Sequence, residues 1–126
     1  MGTRNLEVRA LSYADKTKQR ESQREWRRLH QDYYNQKRRE ARRRNRIIAN
    51  GFKNQPCADC NQWYPPCVMD FDHVRGVKEA EIADLVQKAT TVDKLILEIM
   101  KCEVVCANCH RIRTCKRLGQ PNIGEV

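Results

Sequence analysis

Two cysteine pairs, Cys57-x-x-Cys60 and Cys106-x-x-Cys109, constrain this chain more than anything else in it. A CxxC turn presents two thiolates on one side, and two such turns make a tetrahedral all-thiolate site of the kind that holds a structural Zn2+. Forty-five residues lie between Cys60 and Cys106, so they must fold into a unit whose two ends meet. The segment from Asn54 to Arg117 has 64 residues, a size at which an apolar core alone is marginal. Metal binding and folding are therefore expected to be coupled. Disulfides are the competing use. Seven cysteines are an odd number, and the N-terminus "MGTRNLEVRALSYAD" has no apolar segment ahead of a small-residue cleavage site. Both point to metal in a reducing, cytoplasmic compartment (the host cytoplasm if the source is viral). Cys67, Cys102 and Cys115 lack knuckle spacing and read as packing residues.

Between the knuckles the pattern is that of a small α+β unit. "VMDFDHV" alternates Val68, Asp70 and Asp72 against Met69, Phe71 and His73, which predicts a short strand. "RGVK" predicts a turn at Gly76. "EAEIADLVQKA" and "TVDKLILEIMKC" carry apolar residues at helical spacing, with Thr91 as N-cap of the second. "EVVC" is too short to classify by period, and a last helix is expected from the second knuckle onward.

The charge is lopsided. From Asp15 to Lys53 fourteen Lys and Arg face five Asp and Glu, which accounts for the whole net charge of +9. Thr17 to Asn50 contain no Gly or Pro and are rich in helix formers, predicting one long helix, broken at most once, with Gly51 past its C-terminal end. Trp26, Leu29 and Tyr33 give it only a narrow apolar stripe. A solvated charged helix or a basic arm is one reading; a nucleic-acid-binding helix is the other. Arg outnumbers Lys here, which suits bidentate phosphate contacts. The candidates are Arg27, Arg28, Lys37, Arg38, Arg39, Arg42, Arg43, Arg44 and Arg46. No window is long and apolar enough for a membrane span, so nucleic acid is the expected partner. The organisation expected is a basic helical extension over 1–53, the zinc module over 54–117 and a tail over 118–126.

"DFDHV", followed about thirty residues later by "VVCANCHRIRT", resembles the HNH endonucleases, specifically their zinc-containing CxxC…DH…CxxCH branch. The resemblance covers Gln55 to Arg117, and the Arg-rich helix before it is similar to an extension in phage-type members. It implies a ββα-metal core in which two strands and a helix grip one divalent cation, Mg2+ or Mn2+. By position, Asp72 and His110 would hold that cation, His73 would be the general base, and Arg113 would neutralise the phosphate. Asp70 is the second choice for the metal. Lys101 stands where the family commonly has the Asn that constrains the backbone around the catalytic His; Asn108 is a candidate to take that part. Thr114 stands where some members carry another His ligand.

The resemblance implies nicking or cleavage of DNA, weakly sequence-specific, leaving 5′-phosphate and 3′-hydroxyl ends, alone or within a larger phage DNA-processing complex. The alternative is a catalytically silent, zinc-stabilised nucleic-acid-binding module, such as a regulator or packaging accessory. The basic helix does not separate DNA from RNA.

Overall fold

The structure, a computed structural model, describes the backbone of residues 3–120 and the side chains from residue 13 onward. Residues 121–126 of the expected tail lie outside the described residues. Two helices come first, α1 (Thr3–Leu29) and α2 (Gln31–Phe52). A 3-10 turn (Pro66–Val68) leads into strand β1 (Met69–His73). Short helices α3 (Ile82–Gln87) and α4 (Val92–Ile99) follow, then β2 (Cys102–Cys106) and α5 (Ala107–Arg117). The architecture is the small α+β type expected, with one two-stranded antiparallel sheet among the described residues.

The chain divides into two compact units, 1–38 and 39–126. In the first, His30 links α1 to α2, and its ring lies 3.9 Å from that of Trp26 in a stack while Nδ1 sits 2.7 Å from the Trp26 carbonyl. Tyr34 meets Trp26 edge-on, with ring centroids 5.6 Å apart. The expected apolar stripe is therefore built from Trp26, His30 and Tyr34, while Leu29 is 68% exposed.

The second unit begins within α2, not at the knuckle where composition changes. Ile48 and Phe52 pack against Ile82, Leu95 and Ile99, and buried Asn45 donates to the Thr90 carbonyl at 2.9 Å. Gly51 lies in the last turn of α2 rather than beyond it. The side chains of Ile48 and Phe52 explain this, because their burial rewards one more helical turn at a residue that weakly disfavours it.

The sheet pairs Met69 with Cys106, Phe71 with Val104, Asp72 with Glu103 and His73 with Cys102. Cys57, Met69, Val104, Val105 and Cys106 form one core cluster under the knuckles. Phe71 packs against both this cluster and the α2–α3–α4 cluster, and so joins two cores too small to stand alone. Thr91 caps α4, accepting from the Lys94 N–H at 3.4 Å. Gly76 turns the chain after β1 at φ +67°, where a Cβ would be strained.

Candidate functional site

The four knuckle sulfurs converge: Cys57, Cys60, Cys106 and Cys109 bring their Sγ atoms within 4.8 Å of one another. Four thiolates on a tetrahedron of ~2.3 Å metal–sulfur bonds stand about 3.8 Å apart, and the Cys60–Cys106 separation is 4.0 Å. The surroundings suit thiolates. The N–H of Cys106 donates to Cys57 Sγ at 3.2 Å and that of Cys109 to Cys106 Sγ at 3.4 Å. Burial would raise the Cys57 pKa, but N–H groups of Cys60, Cys106 and Asp59 outweigh it and bring the pKa down to about 6. Cys109 is pushed up by burial and by its three sulfur neighbours. Four thiolates this close repel one another, and a metal ion is the chemistry that relieves it. The expectation for the other cysteines divides. Cys102 packs on the α3–α4 core, whereas Cys67 is exposed on the 3-10 turn.

On the α5 side of the sheet, Asp70 and Asp72 meet the first turn of α5. His110 Nδ1 is 3.0 Å from Asp70 Oδ2 and its Nε2 is 3.6 Å from Asp72 Oδ1. Asp70 is thus a hydrogen-bond partner that fixes the ring, a carboxylate–histidine pairing typical of metal-ligating histidines. The sequence reading held Asp70 only as a rival ligand. Asp72 is 3% exposed and is bound by two guanidiniums. Arg117 reaches its two oxygens at 2.8 and 2.7 Å, and Arg113 reaches Oδ2 at 2.8 Å. The Arg117 bonds, against the cost of burial and with help from Arg113, hold its carboxyl at about 2.

Arg113 differs from its expected role as a free phosphate contact. Its Nε and Nη2 grip Asp59 at 2.7 and 2.6 Å, Nη2 also reaches Glu103 at 2.8 Å, and Nη1 holds Asp72. The reason lies in the register. Asp72 and Glu103 are directly opposite across the sheet, and like charges so placed repel. A cation must lie between them. Arg113 supplies it and ties the first knuckle, through Asp59, to both strands.

On the other face, His73 Nε2 is 2.9 Å from Glu98 Oε1, and the two side chains are 11% and 4% exposed. Glu98 also accepts from the Glu79 N–H at 3.0 Å and from Lys101 Nζ at 2.8 Å. Burial alone would raise its pKa, but these donors lower it to about 2. A carboxylate at Nε2 selects the Nε2–H tautomer and leaves the lone pair on Nδ1. Asp72 and His73 therefore point to opposite faces of the sheet. Lys101 holds the backbone after His73. Its carbonyl accepts from the Val74 and Arg75 N–H groups at 2.9 and 3.2 Å, and its Nζ donates to Val77 O at 2.7 Å. Asn108, by contrast, is exposed on α5.

The basic residues of the helices also divide. Arg42 donates to the Gln87 carbonyl at 2.8 Å and Arg44 to that of Thr90 at 3.1 Å, so both serve the end of α3 and the turn beyond it. Arg28 pairs with Glu25 at 2.7 Å, and Lys37 lies 5.6 Å from the Tyr33 ring centroid. Arg27, Arg38, Arg39, Arg43 and Arg46 are exposed. Sequence reading missed Asp59, Glu98, Glu103 and Arg117. Only Arg117 left a signal, four residues after Arg113 and hence on the same face of α5.

No helix among the described residues is long and apolar enough to cross a membrane. The comparisons find no matching family model, no matching curated protein and no matching solved structure.

Proposed function

We propose that this protein is a metal-dependent endonuclease of the HNH type, hydrolysing nucleic-acid phosphodiester bonds from a zinc-stapled ββα unit. The observation that carries this reading is His110, held at Nδ1 by Asp70 while its Nε2 faces Asp72 at 3.6 Å. Two ligand atoms at right angles on a hard cation with ~2.1 Å bonds lie about 3 Å apart, so this pair fits one divalent ion after a small side-chain adjustment. The fit has a condition: Arg117 must leave Asp72 Oδ1. Arg117 is half exposed and otherwise unpaired among the described residues, so it can do so.

A divalent cation bound there supplies Lewis-acid stabilisation of the leaving 3′-oxygen. The chain's own residues do the rest. His73 ends β1 on the face away from Asp72, so it can serve only a water brought to its Nδ1 round the strand end; with its other proton fixed on Nε2 by Glu98, it would take that water's proton as the oxygen attacks phosphorus. The P–O3′ bond breaks and leaves a 5′-phosphate. Asp70 keeps the His110 ring in place, and Lys101 fixes the loop that follows His73. Arg117, released from Asp72, provides the positive charge at the phosphate that sequence position suggested for Arg113.

A silent nucleic-acid-binding module is the second reading. It is favoured by the completeness of the pairing, since Asp72 is neutralised by two arginines and His73 is bonded to a buried carboxylate. Plasmid nicking with Mg2+ or Mn2+ separates the two. The nuclease reading expects nicking by the wild type and none by His110→Ala; no cleavage with any divalent ion leaves the binding module.

A further inference from the structure

Along α2 and one residue past its end, Arg39, Arg43, Arg46, Asn50 and Lys53 recur at steps of four, three, four and three, which lines them up along one helical face. None of the four cations has a carboxylate partner among the described residues. Their neighbours Arg42 and Arg44 each donate to a backbone carbonyl, at the end of α3 and in the turn after it. The result is an unneutralised cationic stripe about 21 Å long at ~1.5 Å per residue.

The stripe ends in a cleft. Arg46, Asn50, Lys53, Phe71, Val86 and His110 are among the residues that line it, around a volume of about 480 Å³. Two acids also border the cleft: Glu81 is paired with Lys78, while Asp70 accepts from His110 and keeps its charge, so the two cations outweigh one free carboxylate. Lys53 Nζ lies over the Phe71 ring, 5.3 Å from its centroid, so a base stacking on that ring must displace the flexible lysine head, which is then free for the phosphate. That volume lies within the range of small-ligand sites, about 300–1,000 Å³. It suits one nucleotide and is too small for a stacked base pair.

We propose that this cleft takes a single unpaired nucleotide, its base against Phe71 and Val86 and its phosphates on Arg46 and Lys53, with the strand continuing along the α2 stripe. The inference rests on the nucleic-acid reading above and narrows it to a substrate class: single-stranded or locally unpaired strands, not intact duplex. A π-face with flanking cations accepts any base, so binding should be tolerant of sequence.

The test is fluorescence anisotropy with a labelled single-stranded DNA 12-mer and with the duplex of the same sequence. It uses the zinc-loaded full chain with no Mg2+ or Mn2+ added, so that binding is read without cleavage. The single strand should bind about tenfold tighter than the duplex. Lys53→Gln, and Asn50→Trp, which fills the cleft from an exposed position, should each weaken single-strand binding by at least about fivefold, the lower end of what one stacked base contributes. Both should leave duplex binding within twofold, and Lys94→Gln, on an exposed face of α4, should change neither. Equal affinity for the two DNAs, unaltered binding by both cleft variants, or no binding to either overturns the proposal. Loss of metal-dependent cleavage in His110→Ala beside normal single-strand binding by the cleft variants would remove the cleft and keep the nuclease. The reverse pattern would keep the cleft and remove the nuclease.

Discussion

Arg117, the last residue of α5, grips Asp72 on β1 with both terminal nitrogens, at 2.8 Å to Oδ1 and 2.7 Å to Oδ2. Arg113 holds the same carboxylate one helical turn earlier. The two arginines do different work. Arg113 is largely buried and joins four segments, whereas Arg117 has half its side chain in solvent and bonds to Asp72 alone.

Substitution should separate them. Arg113→Ala leaves Asp72 and Glu103 facing each other without a bridging cation, and breaking a buried pair of this kind costs about 3–5 kcal/mol. Arg117→Ala should cost no more than about 1 kcal/mol, as for exposed ion pairs. Urea unfolding measures both, and equal losses would mean that the Asp72 cluster is not organised around Arg113.

Removing Arg117 should also free a ligand oxygen. Arg117→Gln is expected to bind Mn2+ about tenfold tighter than the wild type by isothermal titration, because the ion no longer competes with a guanidinium. Unchanged or weaker binding would place the divalent ion away from Asp72.

The four-cysteine cluster should hold one zinc per chain. Stripping it with a strong chelator should unfold the unit from Arg39 onward, since the metal joins the two ends of a 64-residue segment whose cores are small. Cys57→Ser should reproduce the effect. Retention of cooperative unfolding without metal would show that the two apolar clusters suffice.

Acid stability follows from the two depressed carboxyls. Asp72 and Glu98 have folded pKa values of about 2, below their usual 3.8 and 4.5. A lowered pKa means stabilisation that is complete above about pH 4.5 and is lost as pH falls toward 2. Thiolate protonation removes metal in acid as well, so the informative quantity is a difference. The urea midpoint of Glu98→Gln should fall less between pH 6 and pH 3 than that of the wild type. Parallel curves would remove Glu98 as a source of the dependence.

What could be read from the sequence was local. The CxxC spacing announces the metal site because four thiolates at two turns have few other uses, and the 2-residue period of "VMDFDHV" announces β1. Thr91 was legible as a cap. The ion-pair networks were not, because they depend on strand register: nothing in the sequence says that Asp72 faces Glu103, and that pairing explains why the half-buried Arg113 sits between them. The start of the compact unit within α2 was hidden for a related reason. Composition marks Gly51, yet Asn45, Ile48 and Phe52 are ordinary helix residues until α3 and α4 are packed against them. By sequence alone Glu98 is one more charge on an amphipathic helix, though its bond to His73 bears most directly on chemistry.

The central claim is that His110 and Asp72 hold a divalent ion that lets this chain cut nucleic acid, with His73 as base. Nicking of supercoiled plasmid with Mn2+ or Mg2+ tests it most directly, using wild type, His73→Ala and His110→Ala in zinc-loaded form. The account predicts nicking by the wild type that EDTA, added just before the assay, abolishes. Each variant should lose it by at least about a hundredfold, the scale of a general base's contribution, with DNA binding retained. Nicking by either variant at the wild-type rate would contradict it.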